Sequence, residues 1–333
     1  SGAALTITAN GNCMNVADVQ LRGRTLNVAG TAILTGTNAF CVESGTINNS
    51  GLFDIVRAVN VWWNGGSSAV LNNTGILRKS GGTGTSAWLA TALNNTGTIE
   101  IQSGALKFAS FTQHSGVTML NGGALTCSSS PLNFNSGVLQ GTGIITGNVA
   151  NTGGIVSPGM SPGILRIAGN YTQGPTGTLN IELGGATYGT QYDVLDVTGA
   201  ASLSGTLNVS LINGFTPVTG TIFQVMNYGS YSGGFSAFNG LSQGGGLVLV
   251  PYFSVDNLSL LTMQGDVAAY KFAFPPQWAI EPDPIAGYPH GRLGQRYLLR
   301  YSYNSPSPNP LNFTVAITDT LPAEVAFGPE AHT

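Results

Sequence analysis

A short Asn/Ser/Thr-Gly phrase recurs along the first half of the chain, and its spacing limits the possible folds more than any other feature. Asn48-Asn49-Ser50-Gly51, Asn72-Asn73-Thr74-Gly75, Asn94-Asn95-Thr96-Gly97, His114-Ser115-Gly116-Val117 and Asn135-Ser136-Gly137-Val138 place turn glycines at 51, 75, 97, 116 and 137. The steps are 24, 22, 19 and 21 residues. Between such turns lie short stretches with every second residue apolar, such as Ala4-Leu5-Thr6-Ile7-Thr8, Gly97-Thr98-Ile99-Glu100-Ile101 and Gly177-Thr178-Leu179-Asn180-Ile181-Glu182-Leu183. That alternation is the period of a half-buried strand. A repeat of this length, made of two or three short strands with polar corners, predicts the coils of a right-handed parallel β-helix. One coil cannot bury its apolar side without neighbours above and below it. Leucine-rich repeats share the period, but their LxxLxLxxN framework is missing.

Composition sharpens this all-β expectation. Charged residues are 8% of the 333 positions, against roughly 25% in an ordinary soluble protein. Solubility must therefore come from Ser, Thr, Asn and Gly on exposed faces. Those residues are poor helix formers, and the Lys, Glu and Arg that line exposed helix surfaces are scarce. Disorder is excluded as well, because disordered chains combine low hydrophobicity with high net charge. Here 42% of residues are hydrophobic and the formal net charge is −3. The longest apolar stretches, such as Gly246–Tyr252, fall short of the roughly 20 residues that span a bilayer, so no membrane span is expected. A chain beginning at Ser1 rather than Met fits the processed, mature form of a secreted protein.

Three cysteines, Cys13, Cys41 and Cys127, are an odd number with no CxxC spacing. At most one intrachain disulfide can form, and a metal site is not indicated. Cys13 and Cys41 are 28 residues apart, near one coil plus a small insertion, which makes them the favoured pair. Three buried thiols acting as small hydrophobes remain the alternative.

The supply of catalytic groups is thin. Between Glu100 and Glu182 there is no acidic residue, and the only basic ones are Lys107 and Arg166. Asp193 and Asp196 are the one close pair, but residues three apart on a strand point to opposite faces. His114, His290 and His332 lie in separate segments, outside HExxH or HxH spacing, and the Ca²⁺-binding GGxGxD nonapeptide is absent. Gly141-Thr142-Gly143 carries no following Lys-Ser/Thr, so it is not a phosphate loop. Eleven basic residues spread along the chain leave no nucleic-acid footprint. The sequence therefore predicts no enzyme, no cofactor and no nucleic-acid partner. Sequons for glycosylation stand at Asn48, Asn72, Asn94, Asn170, Asn208, Asn257 and Asn312. Trp62, Trp63 and Trp88, and Tyr288, Tyr297, Tyr301 and Tyr303, are either core residues or sugar-stacking platforms.

Two stretches carry family resemblances. The first runs from Ser157-Pro158-Gly159-Met160-Ser161-Pro162-Gly163 through Gly169-Asn170-Tyr171-Thr172-Gln173, Glu182-Leu183 and Tyr192-Asp193-Val194-Leu195-Asp196-Val197. It continues with Gly205-Thr206-Leu207-Asn208-Val209, Gly214-Phe215-Thr216-Pro217 and Gly233-Gly234-Phe235. Residues 157 to 241 thereby resemble the β-helical passenger regions of autotransporter-like bacterial surface proteins, which implies a surface-exposed scaffold. After Gly265 proline becomes frequent, at 275, 276, 282, 284 and 289. The later phrase Asp319-Thr320-Leu321-Pro322-Ala323-Glu324-Val325 resembles an Ig-like repeat of bacterial and archaeal surface proteins. Two domains follow: a β-helix over 1–265 and a small Ig-like sandwich over 266–333 that is short of strands, with Glu324 where that family has Gly.

An open solenoid end and a sandwich lacking strands suggest one another as partners. The sequence reading is a secreted, cell-surface structural protein that polymerises head to tail by β-strand addition. Ala3, Ala4, Leu5, Thr6, Ile7 and Thr8 would meet Phe313, Val315 and Ile317 of the next copy. Its alternatives are an adhesin or passenger fragment of a larger surface protein, with surface glycans as partners, and a carbohydrate-active β-helix.

Overall fold

The computed structural model describes residues 4–10, 13, 19–62, 69–89, 91–128 and 131–264. The Ig-like domain expected over 266–333, including Asn312, Phe313, Val315 and Ile317, lies outside the described residues, as does Ala3. Within them the chain is strand and turn, without helix, wound as a parallel β-helix whose coils each lay one strand on each of three faces.

Face I carries Leu5–Ala9, Thr31–Gly36, Leu52–Ile55, Ile76–Lys79, Thr98–Ile101, the first part of Val117–Cys127, the first part of Val138–Thr146, Ile155–Pro158, Thr178–Leu183, Thr206–Leu211 and Ala237–Asn239. Face II carries Gln20–Arg22, Ala39–Glu43, Asn60–Trp62, Thr85–Trp88, Ala105–Phe108, the second parts of the same two long strands, Ile164–Ala168, Val194–Val197 and Ile222–Asn227. Face III carries Thr25–Val28, Thr46–Asn49, Ala69–Asn73, Thr91–Asn95, Thr112–Gln113, Leu132–Phe134, Val149–Asn151, Tyr171–Gln173, Ala200–Leu203 and Ser230–Gly233. Pairing between coils on these faces is parallel, one coil per step, with a register shift between Asn121 and Ala124. Ten coils at ~4.8 Å make a column roughly 48 Å tall.

The glycine period belongs to the corner between faces III and I. Gly51, Gly75, Gly97, Gly116 and Gly137 stack there, each over the corner of the preceding coil. A Cβ on any of Gly75, Gly97, Gly116 or Gly137 would stand under 3.0 Å from the carbonyl oxygen of the glycine before it. Those carbonyls accept from the residue that opens the next strand, as Ile76 N to Gly51 O at 2.7 Å and Thr98 N to Gly75 O at 2.8 Å. A side chain would push the corners apart and break that ladder, so the spacing read from sequence is a steric requirement.

Inward side chains form one continuous core along the axis. Its middle is an aromatic chain, Phe53–Trp88–Phe108–Phe111–Phe134, with ring centroids 5.3 to 6.4 Å apart. Such tilted and edge-on pairs add about 0.5–1.5 kcal/mol each beyond area burial. At the C-terminal end the parallel pattern stops. Asn257–Gln264 lies antiparallel on Ile222–Asn227, and Leu247–Phe253 lies antiparallel on Asn257–Gln264. This hairpin covers the last edge of face II.

Candidate functional site

Two kinds of polar assembly stand out against the apolar core, and both follow from coil stacking. The first is a pair of amide ladders on face III. Asn49, Asn73 and Asn95 point inward beside the corner glycines and are buried. Asn49 Nδ2 donates to Asn73 Oδ1 at 2.7 Å, and Asn73 Nδ2 donates to Asn95 Oδ1 at 2.7 Å. The same amide nitrogens reach corner carbonyls, Asn49 to Ile76 O at 2.9 Å and Asn73 to Thr98 O at 3.0 Å. Gln113, Asn151 and Gln173 continue this work further along, Gln173 Nε2 bonding Ser204 O at 2.8 Å. At the ladder's start Asn49 Oδ1 is buried without a partner, because Val28 occupies the corresponding place one coil earlier.

The neighbouring asparagines point outward. Asn48, Asn72 and Asn94 donate in turn to Asn27, Asn48 and Asn72 at 2.9, 2.8 and 2.9 Å. These are sequon residues, and the nitrogen that would carry a glycan is the ladder donor. Asn208 is in the same position on face I, donating to Asn180 at 2.9 Å and accepting from Asn239 at 2.8 Å. Asn257 Nδ2 donates to Asp256 Oδ1 at 2.8 Å. Asn170 is exposed, and its Oδ1 accepts from Ala200 N at 2.9 Å.

The second assembly is a groove of about 500 Å³ on the outside of face I, lined by Gln140, Ser157, Met160, Asn180, Glu182 and Asn208 among others. Part of its wall is the stretch Ser157–Ser161, which leads into Gly163. Gly159, at φ 87°, lets that loop double back: a Cβ there would stand under 3.0 Å from Gly163 N and from Asp193 Oδ1. Asp193 fastens the loop. Its Oδ1 accepts from Gly163 N at 2.9 Å, its Oδ2 from Glu182 N at 2.9 Å, and its own N–H donates to Glu182 O at 2.9 Å. The side chain is 1% exposed. Burial pushes its carboxyl up to about 7; the two backbone donors act against this and the nearby Glu182 charge adds to it. Sequence alone did not place Glu182 beside Asp193, because residues 184–191 separate them in the chain as an excursion that the strand pattern does not reveal.

Asp196, three residues on, belongs elsewhere. It faces out on face II, 3.5 Å from Arg166 Nη1 and 3.4 Å from Asn227 Nδ2. The two aspartates are therefore not brought together. The groove's amides, hydroxyls and Glu182 carboxylate can hydrogen-bond a polyol. Asp193 has both oxygens engaged by backbone donors, which suits holding the loop rather than exchanging protons with a bound molecule.

Cys13 and Cys41 are joined by a disulfide, with Cα atoms 5.5 Å apart, and pack with Ala39 in a small cluster outside the main core. Cys127 is a buried thiol. Trp88 is fully buried in the aromatic chain, whereas Trp62 is 54% exposed. Lys79 points into the core with its ammonium on Gly81 O and Gly82 O, and burial lowers its pKa. Among the described residues no group of three His, Cys, Asp or Glu side chains is placed to hold a metal ion, and no helix is long and apolar enough to cross a membrane. No protein-family model matches the chain, and no curated protein is significantly similar to it.

Proposed function

We propose that the chain is an extracellular structural protein, a subunit of a cell-surface filament or surface layer that grows head to tail by strand addition between subunits. The observation that carries this reading is the outer edge of the first strand on face I, Leu5–Ala9. At the C-terminal end of face II the antiparallel hairpin covers the last parallel strand. At the N-terminal end Leu5–Ala9 pairs with Thr31–Gly36 on one side, and no described residue pairs with its other edge. A strand edge left open presents unpaired N–H and C=O groups that template another strand.

In this reading the N-terminal strand takes part through its edge. Ile7 and Ala9 are buried in the chain's own core, so Leu5–Ala9 stays in its coil and offers an edge. In this reading the C-terminal domain of the neighbouring subunit adds to that edge. The low charge content and the resemblance of residues 157–241 to surface scaffolds support the extracellular setting. The adhesin alternative draws its support from the groove on face I, whose polar lining suits a saccharide.

Electron microscopy with light scattering over a concentration series tests the reading. Fibres with a regular axial repeat are expected, and they should be lost on deletion of residues 1–9 or in the milder Thr6→Lys/Thr8→Lys variant. That variant charges the edge while leaving Ile7 and Ala9 in place. A monomer of about 34 kDa at every concentration, or fibres unaffected by both changes, would overturn it.

A further inference from the structure

Charge is partitioned among the three faces. The ten strands of face III contain no Asp, Glu, Lys or Arg, whereas faces I and II hold the Arg22–Glu43, Arg78–Glu100 and Arg166–Asp196 ion pairs. Along the flanking corners of face III, among the described residues, the only Asp, Glu, Lys, Arg or His side chains are Arg24 at one end and His114 midway. The rest of that surface is uncharged and, apart from Tyr231 and Leu89, mostly small: the outward row runs through Asn27, Asn48, Asn72 and Asn94 into Thr112 and Asn133.

We propose that face III is the surface on which two copies of this chain pair side by side, related by a two-fold axis. Three physical arguments single out a second copy as the occupant. Covering this face desolvates no charged group on its strands, so the main penalty against burying a polar surface is absent. Asn48 and Asn72 each use one N–H and one lone pair along their own row, which leaves each a second hydrogen and lone pair for a partner. An identical face repeats the same groups at the same ~4.8 Å step, so two such rows stay in register along their whole length, as in dry interfaces between stacked sheets. The size is also sufficient. Ten strands of about four residues give roughly 43 by 13 Å, or about 1,100 Å² buried over both copies, just above the ~1,000 Å² that a specific interface needs. A two-fold contact closes on itself, so this pairing sets the thickness of an assembly and is independent of the end-to-end contact that sets its length.

The test is a double substitution, Ala92→Lys with Thr172→Lys, on exposed positions of face III whose side chains take no part in the amide ladders. Thr146→Lys with Val255→Lys adds the same charge away from that face. Far-UV circular dichroism and melting confirm that both variants fold. Protomers per cross-section are read by sedimentation velocity for discrete species and by mass per length in electron micrographs for fibres. The native chain should show two, the face III variant one, and the control two. One protomer per cross-section in the native chain, or two that persist in the face III variant, overturns the proposal. So does a single column that binds an uncharged polysaccharide and loses that binding in the variant, which would make face III a glycan platform. Failure of strand addition would show separately, as fibre length unaffected by Thr6→Lys/Thr8→Lys.

Discussion

The side-chain amide of Asn73 donates to Oδ1 of Asn95 on the next coil at 2.7 Å, and both side chains lie within the core. Amides buried in an apolar core are unfavourable unless every donor and acceptor is met. Around Asn73 and Asn95 they are met by the fold itself: Asn73 Nδ2 also reaches Thr98 O at 3.0 Å and Asn95 Nδ2 reaches Gly97 O at 3.3 Å, with Asn49 Oδ1 at the ladder's start the exception. The ladder and the glycine corner stand side by side: glycine brings successive corners close, and asparagine bonds the first carbonyls of the strands that leave them.

Replacing one inner rung of this ladder should cost more than replacing an outer one. Asn73→Leu removes a partner from each of Asn49 Nδ2, Asn95 Oδ1 and Thr98 O, and should destabilise by about 2–4 kcal/mol in urea unfolding. Asn94→Ala removes an exposed ladder bond to Asn72 and should cost under about 1 kcal/mol. Equal effects would mean that the inner amides are not specially placed.

The glycine corner offers a sharper contrast within one residue type. A Cβ on Gly97 would stand under 3.0 Å from Gly75 O, Thr74 C and Thr74 O, all backbone atoms that cannot swing away. A Cβ on Gly30, in the same corner at the start of the stack, would meet nothing within 4 Å. Gly97→Ala should lower stability by about 2–4 kcal/mol, while Gly30→Ala should be near neutral. Matching midpoint shifts for the two variants would refute the steric account of the repeat.

That account also explains what could be read from the sequence. The period from Gly51 to Gly137 is visible because sterics permit no other residue at the stacked corners. Elsewhere the coil length drifts, from 17 residues between Gln140 and Ser157 to 31 between Asn208 and Asn239, as corner loops grow and shrink. Beyond Ser157 single strands such as Thr178–Leu183 are legible from their alternation, but the coil period is not. In Asn48-Asn49 both residues read as turn formers, yet strand alternation sends Asn48 outward and Asn49 into the core. A buried Asn carries no compositional mark that separates it from an exposed one. The uncharged face was equally hidden, since charges can be assigned to faces only once every coil's register is known.

The Cys13–Cys41 bridge ties a loop of 28 residues at the N-terminal end of the column. Chain-entropy bookkeeping assigns such a link about 3–4 kcal/mol. Reduction, or Cys41→Ala, should loosen the first coils ahead of the rest, because a solenoid unfolds from its weaker end. Hydrogen exchange should then speed up in Leu5–Ala9 and Thr31–Gly36 and stay unchanged around Phe108 and Phe134. Uniform acceleration along the column would contradict end-first opening.

Asp193 gives the fold a pH dependence whose sign can be worked out. Its carboxyl is raised from an ordinary 3.8 to about 7, chiefly by burial. The folded chain therefore holds a proton that the unfolded chain releases between those two values. The stabilisation is fully present below pH 3.8 and is lost as pH rises through about 7, up to about 4 kcal/mol in all. Melting temperature should fall between pH 5 and 8. Asp193→Asn removes the titrating group, and it also costs an acceptor for one of the Gly163 and Glu182 N–H groups. The variant should be less stable than the native chain at pH 5, by about 1–3 kcal/mol, with a flatter profile from pH 5 to 8. If the native and variant profiles run parallel over that interval, Asp193 is ionised throughout, and the two backbone donors outweigh its burial.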